Sequence, residues 1–199
     1  EILNVFLKLK PENITVTHLA SDLKPAEGVD SNRLYEHFND LPQHYLLSVG
    51  TLEPRKNLKR LILAFSELKE AKKIQDVGLV LVGGRGWLDS GVGADQEELS
   101  KQGIFPLGFV ADEWLPQLYS NALAFVYPSI HEGFGLPPLE AMSCGAPVIL
   151  SETSSLPEVG GDATLYVDPF SIDSIQSAIE KIVTDSELRN ALSEKSLLQ

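Results

Sequence analysis

A single cysteine, Cys144, leaves this chain no intrachain disulfide and no cysteine-rich zinc site. In its apolar setting it reads as a small core residue. No apolar run reaches the ~18 residues that a membrane-crossing helix needs. Cations are scarce: 16 Lys and Arg against 28 Asp and Glu give a net charge of −12. That balance disfavours nucleic acid, which needs a clustered positive field, and offers little attraction to anionic lipid. Of the four histidines, His18, His37 and His44 do not cluster with acids at metal-ligand spacing, and His131 beside Glu132 reads as structural or solvent-facing. Methionine occurs only at Met142 and the first residue is Glu1, so the chain reads as a piece of a longer protein. "ILNVFLKL" is too short and too charged for a signal peptide, and a cytoplasmic location is expected. Internal repeats and low-complexity tracts are also missing.

What is present suits an ordinary globular domain: 43% of the 199 residues are hydrophobic and 22% charged. Residues 1–44 read as the end of a preceding domain plus a linker, with a short strand at "ITVTHL" and no sustained period after it. Residues 45–199 alternate apolar runs with helical patterns. The runs "HYLLSVG", "GLVLVGG", "IFPLGFV", "ALAFVYP", "APVIL" and "ATLYV" lack polar alternation, as strands covered on both faces do. Between them, Leu58, Leu61, Ile62, Phe65 and Leu68 repeat at 3-4 spacing behind a candidate cap, Asn57. Asp112 is a candidate cap for a helix with Leu115, Leu118 and Tyr119 inward, and Pro116 must then fall in its first turn. Ser171 precedes Ile172, Ile175, Ile179 and Ile182, and a last helix begins near Asp185. This order predicts an α/β fold, a doubly wound, mostly parallel, Rossmann-like sheet. Ligands in such folds bind beyond the carboxyl ends of the strands.

The turns that follow strands are therefore the places to inspect. In "HEGFGLPPLEAMSCGAPVI" the chain leaves a strand and starts a helix, with Glu132 and Glu140 on either side of the corner. Gly133 and Gly135 let a ligand approach bare main chain, Pro137 or Pro138 suits the first helical position, and Gly145 can end the helix. A helix N-terminus at this edge favours anions, and Glu140 is expected in its first turn. Arg55, Lys56, Lys59 and Arg60 put four of the sixteen cations into six residues after the first strand. That run is either a solvated helix face or a local anion site.

Three chemistries compete for these residues. A glycoside hydrolase needs two carboxylates but leaves the anion corner and the basic cluster unused. A dinucleotide module could use Gly133, Gly135 and Glu152, with Pro138 where its third glycine belongs. A nucleotide diphosphate-sugar site uses every feature: one glutamate for ribose, the other for sugar hydroxyls, and phosphates on the helix N-terminus and the cations.

The same residues resemble a known family. "EGFGLPPLE" reads as the E-x7-E motif of retaining glycosyltransferases of the family 4, or group 1, type, which adopt the GT-B fold. "LLSVGTLEPRKNLKRLILAF", "LVLVGGRGW", "LGFV", "LPQLYSNALAFVYPS" and "GAPVILSETSSLPEVGGDATLYVDP" are similar to its successive segments in the same order. The resemblance covers residues 45 to 197, the C-terminal domain that binds the nucleotide-sugar donor. It implies that Glu132 holds hydroxyls of the donor sugar and Glu140 those of the ribose. Main chain of Gly133, Phe134, Gly135 and Leu136 would meet phosphates and sugar, and Lys56 would neutralise the departing diphosphate. The family often carries Arg directly after the glycine matching Gly50; here that residue is Thr51, and Arg55 would supply the charge. Gly84 belongs to the same donor-facing edge, and main chain at Phe109 and Val110 would contact the base.

No Asp-x-Asp occurs, in keeping with the family's usual lack of a metal, and no cofactor is expected beyond the donor itself. The resemblance further implies a hexose moved to a hydroxyl of a sugar or lipid-linked acceptor held by an absent N-terminal domain. At most, the whole protein would touch a membrane peripherally. "EPRKN" is similar to loops of mannosyltransferases in surface-polysaccharide assembly, which points to GDP-mannose. By itself the domain would bind nucleotide and transfer little or no sugar. A non-catalytic nucleotide-sugar sensor and a dinucleotide-dependent oxidoreductase are the alternatives.

Overall fold

The computed structural model of the protein describes residues 15–26, 31–51, 53–84 and 96–199. The six apolar runs form strands β1 (Tyr45–Val49), β2 (Gly78–Val82), β3 (Ile104–Gly108), β4 (Ala124–Tyr127), β5 (Val148–Ser151) and β6 (Thr164–Val167). They build one sheet in the order β3-β2-β1-β4-β5-β6. Every pairing is parallel, with Leu46 opposite Leu79 on one side and opposite Ala124 on the other. The expected doubly wound sheet is thus present, and its order reverses between β1 and β4. That reversal opens the crevice in which such sheets bind ligands.

Strand alternation sorts the core into two layers. Tyr45, Leu47, Val80, Phe125, Tyr127, Val148 and Leu150 point to one face. Leu46, Leu79, Leu81, Ala124, Val126 and Ile149 point to the other. The first face is covered by helices α1 (Ser31–His37), α4 (Leu115–Asn121), α5 (Leu136–Ser143) and α6 (Leu156–Gly160). The second is covered by α2 (Leu58–Glu70), α3 (Gln96–Lys101), α7 (Ile172–Thr184) and α8 (Ser186–Leu198). Burial on both sides is why these strands carry no polar alternation.

Several local expectations hold. Ser171 and Asp185 cap α7 and α8, accepting from the N–H groups of Ser174 and Leu188. Gly145 ends α5 at φ +75, with its N–H on Met142 O and that of Ala146 on Ala141 O, a Schellman closure. Cys144 is buried, and burial first, then Glu140, pushes its thiol up to about 12, so it packs as an inert core group.

Others are corrected. Residues 15–26 hold neither helix nor strand, so the described part of "ITVTHL" is not a strand. The stretch expected to be linker carries α1, whose buried Leu34 anchors it without any long periodic stripe. Asn57 precedes α2 but does not cap it through its side chain. Asp112 makes no cap bond either: a 3-10 turn over Asp112–Trp114 comes first, and α4 starts at Leu115 with Pro116 in its first turn. Leu136, not a proline, takes the first position of α5, which moves Glu140 into the second turn. Arg85, Gly86 and Trp87 of the "GRGW" loop lie outside the described residues.

Ile179 is fully buried in the α7 stripe, whereas Leu63 on α2 is 44% exposed. Ile179→Ala is expected to cost about 2–5 kcal/mol in urea unfolding and Leu63→Ala about 0.5 kcal/mol or less. Equal losses would contradict the layer assignment.

Candidate functional site

The loops after β1 and β4 meet at the point where strand order reverses. After β1, Gly50 donates its N–H to Val82 O and the backbone passes Gly83 so closely that a Cβ there would lie 2.0 Å from Gly50 O. Only glycine fits at Gly83, which also sits at φ +156. A 3-10 turn over Pro54–Lys56 then swings two cations over the sheet edge. Asn57 fastens this turn: at φ 61, its amide donates to Pro128 O (3.0 Å) and Pro169 O (2.6 Å), joining the loops after β1, β4 and β6. A helix cap needs an acceptor aimed at its own turn, so these two bonds explain why Asn57 does not act as one.

Lys56 and Glu132, each 7% exposed, form an ion pair at 2.8 Å between Nζ and Oε1. Lys56 Nζ also donates to Tyr127 OH. Ser129 Oγ donates to the same Glu132 Oε1 at 2.6 Å, and Arg55 Nη1 reaches Oε2 at 2.5 Å. Arg55, 40% exposed, pairs through Nε with Glu53 at 2.6 Å. Burial alone would raise the Glu132 pKa, but the bonds from Lys56, Ser129 and Arg55 outweigh it and hold the carboxyl below its ordinary 4.5. The Glu132 N–H donates to Ser154 Oγ, while Ser155 Oγ donates to Phe134 O at 2.6 Å with Glu132 O also near, at 3.1 Å. These serines pin the glycine corner to the start of α6.

Beyond Glu132 the chain runs through Gly133, Phe134 and Gly135 into α5. No hydrogen-bond acceptor among the described residues takes the N–H of Gly133, Phe134, Gly135 or Leu136. Pro137 and Pro138 have no N–H, so the donors of this helix start are concentrated in Gly135 and Leu136. Among the described residues a Cβ on Gly133 would meet nothing within 4 Å. A Cβ on Gly135, at φ +118, would instead lie 2.9 Å from Leu156 Cδ2. A run of uncommitted donors beside two cations is an anion-binding arrangement.

Glu140 is half-buried on α5 and accepts from Tyr119 OH of α4 at 3.1 Å. Burial raises its pKa, the Tyr119 bond opposes this, and Asp112 after β3 adds to it. Glu140 shares no bond with the Lys56–Glu132 cluster; it faces the side on which the β3 loop lies. On that loop Val110 is core, and Phe109 is 83% exposed. Thr51 Oγ1 donates to Glu53 at 3.1 Å, and among the described residues nothing would lie within 4 Å of a Cβ on Gly84. His131 is exposed and lends only its carbonyl, to Arg55 Nη1. Glu152 after β5 is exposed too.

Sequence reasoning missed Tyr127, Ser129 and Asn57's bridging role. A usable signal existed for the first two: polar groups at the end of an otherwise apolar strand, on the edge where ligands bind. Among the described residues no three His, Cys, Asp or Glu side chains gather as a metal site would require, and no helix is long and apolar enough to cross a membrane.

A parallel α/β sheet with a charged crevice at its reversal point and free main-chain donors above it defines a Rossmann-like domain. The sequence profile described as "Glycosyl transferases group 1" matches residues 35–198. The O-antigen chain mannosyltransferase B of Escherichia coli is 41% identical over 202 residues, an overlap of 100% of this chain and 52% of that protein. The O-antigen chain mannosyltransferase RfbU of Salmonella typhimurium is 33% identical over 196 residues, 91% of this chain and 53% of that one. The crystal structure of WaaG, a glycosyltransferase involved in lipopolysaccharide biosynthesis, superposes with a TM-score of 0.77 at 25% identity, covering 96% of this chain and 53% of WaaG. The chain spans about half the length of the curated relatives it matches. It belongs to the group 1 glycosyl transferases and has the Rossmann-like fold of a C-terminal GT-B domain.

With its pKa lowered in the folded state, Glu132 contributes stability that is present above pH 4.5 and lost as pH falls through the lowered folded value. Glu132→Gln removes that contribution. Urea unfolding of the wild type should therefore lose more stability between pH 6 and pH 3 than the variant does. Parallel pH profiles would contradict the ion pair.

Proposed function

We propose that this domain binds the nucleotide diphosphate-sugar donor of a retaining hexosyltransferase that builds a bacterial surface polysaccharide. The observation that carries the reading is the pairing of Lys56 and Arg55 with the uncommitted N–H groups of Gly133 to Leu136, across the crevice between β1 and β4. A diphosphate is the ligand such a place suits. As the bond from the sugar's anomeric carbon to the phosphate oxygen breaks, its electron pair stays on that oxygen. Donors gathered at that edge stabilise the charge. Lys56 and Arg55 supply the cationic part and the start of α5 the dipolar part.

Glu132 accepts from hydroxyls of the sugar and Glu140 from those of the ribose. The position of Asp112 beside Glu140 supports this order, since the base then lies toward Phe109 and Val110 and the diphosphate toward Lys56. Gly50, Thr51 and Gly84 border the cleft. The charge on the leaving group is met by side chains and main chain, so the reading assigns no step to a metal. Mannose as the sugar is supported by the names of the two O-antigen relatives, and GDP is the carrier this reading assigns to it. The acceptor, a sugar or lipid-linked hydroxyl, is held by the remainder of the enzyme, which works in the cytoplasm with at most peripheral membrane contact.

Titration calorimetry with GDP, UDP and ADP and their nucleosides tests this. At least one diphosphate should saturate the protein and bind more tightly than its nucleoside; no saturable binding by any of the three would overturn the reading. Lys56→Ala should weaken the diphosphate far more than the nucleoside. Glu140→Ala should weaken both, by about 1–3 kcal/mol for charge-assisted bonds to the ribose.

A further inference from the structure

The donor reading leaves an electrostatic difficulty that the structure itself resolves. Arg55 and Lys56 face two carboxylates, Glu53 and Glu132, so the cluster is already neutral before any ligand arrives. A diphosphate entering a neutral cluster gains little Coulomb attraction unless one carboxylate gives up its cation. The two carboxylates differ in their freedom to do so. Glu132 is buried, and its Oε1 takes bonds from Lys56 and Ser129, so losing its cations would strand a buried charge. Glu53 has a side chain 49% exposed, and water can solvate it when its partner leaves.

We infer that Glu53 is a positioning residue: it parks the Arg55 guanidinium at the mouth of the cleft, and the incoming diphosphate takes that guanidinium over. The geometry is a shared fork, with Nε on Glu53 Oε2 at 2.6 Å and Nη1 on Glu132 Oε2 at 2.5 Å. Thr51 Oγ1 holds the other Glu53 oxygen at 3.1 Å, and the turn itself is fixed by Glu53 N on Thr51 O and Lys56 N on Glu53 O, both 2.9 Å. Thr51 therefore orients the parking carboxylate, a use for the hydroxyl at that position. When Arg55 turns to phosphate it also uncovers Glu132 Oε2, whose bond then becomes available to a sugar hydroxyl. Diphosphate capture and sugar recognition are coupled through one side chain. Product release runs the exchange backward, with Glu53 recovering Arg55.

This inference rests on the donor reading and is tested separately from it. Wild-type protein, Glu53→Gln, Arg55→Ala and the double variant are titrated with GDP, UDP and ADP and with their nucleosides. Glu53→Gln should bind the preferred diphosphate about two- to fivefold more tightly, the range of an exposed ion pair, with nucleoside affinity unchanged. The gain should shrink as salt is raised and vanish in the Arg55→Ala background. Weaker or unchanged diphosphate binding by Glu53→Gln, or an equal gain without Arg55, would overturn the parking role while leaving the donor site standing. Failure of the wild type to bind any diphosphate would instead bring down the donor reading.

Discussion

Everything at the crevice is organised around a buried ammonium facing a buried carboxylate, Lys56 against Glu132. Withdrawing two charges from water costs several kcal/mol each, and a simple apolar pair would serve stability at least as well. The pair persists because neighbours complete it. Ser129 adds a second bond to Glu132 Oε1, Arg55 bonds to Oε2, and Tyr127 accepts from Lys56. Main chain is drawn in too, since Ile130 N donates to Arg55 O at 2.7 Å. The loops after β1 and β4 are thus one unit, and the expense of holding charge there fits a site that must meet charge.

The sheet explains why this unit stands where it does. Strand order reverses between β1 and β4, so the two crossovers leave in opposite directions and uncover the carboxyl ends of both strands. Gly83 lets the β1 and β2 ends press together, and Asn57 ties in the loop after β6. The packing of α5 against α4 and α6 then aims the Gly133–Leu136 main chain toward the same edge, while Ser155 holds the Phe134 carbonyl back toward α6. Rigid strands carry the loops, and the loops carry the chemistry.

Much of this was legible in the residues. Leu46, Val80, Phe125 and Ile149 belong to runs without polar alternation, and a parallel sheet covered twice was the reading they allowed. Glu132, Lys56 and the glycine corner were found because charge and glycine stood at strand ends, where the fold places ligands. Failures have local causes. Leu34 secures α1 by one deep contact, and one contact leaves no period. Asn57 was taken for a cap since Asn before an apolar stripe usually is one, yet carbonyls of Pro128 and Pro169, distant in sequence, claim its amide. Glu140 moved by a turn because Leu136, rather than a proline, begins α5. Tyr127 and Ser129 stood out only as polar groups at the end of an apolar strand; their partners Lys56 and Glu132 come within reach through the fold.

The central claim is that one diphosphate bridges the paired loops and the start of α5. A crystal structure of the protein with its preferred nucleoside diphosphate tests it most directly. The account predicts phosphate oxygens within hydrogen-bond distance of Lys56 Nζ and of the Gly135 or Leu136 N–H, with the ribose hydroxyls on Glu140. Phosphates lodged elsewhere, with the Lys56–Glu132 pair untouched and Glu140 still bonded only to Tyr119, would contradict it.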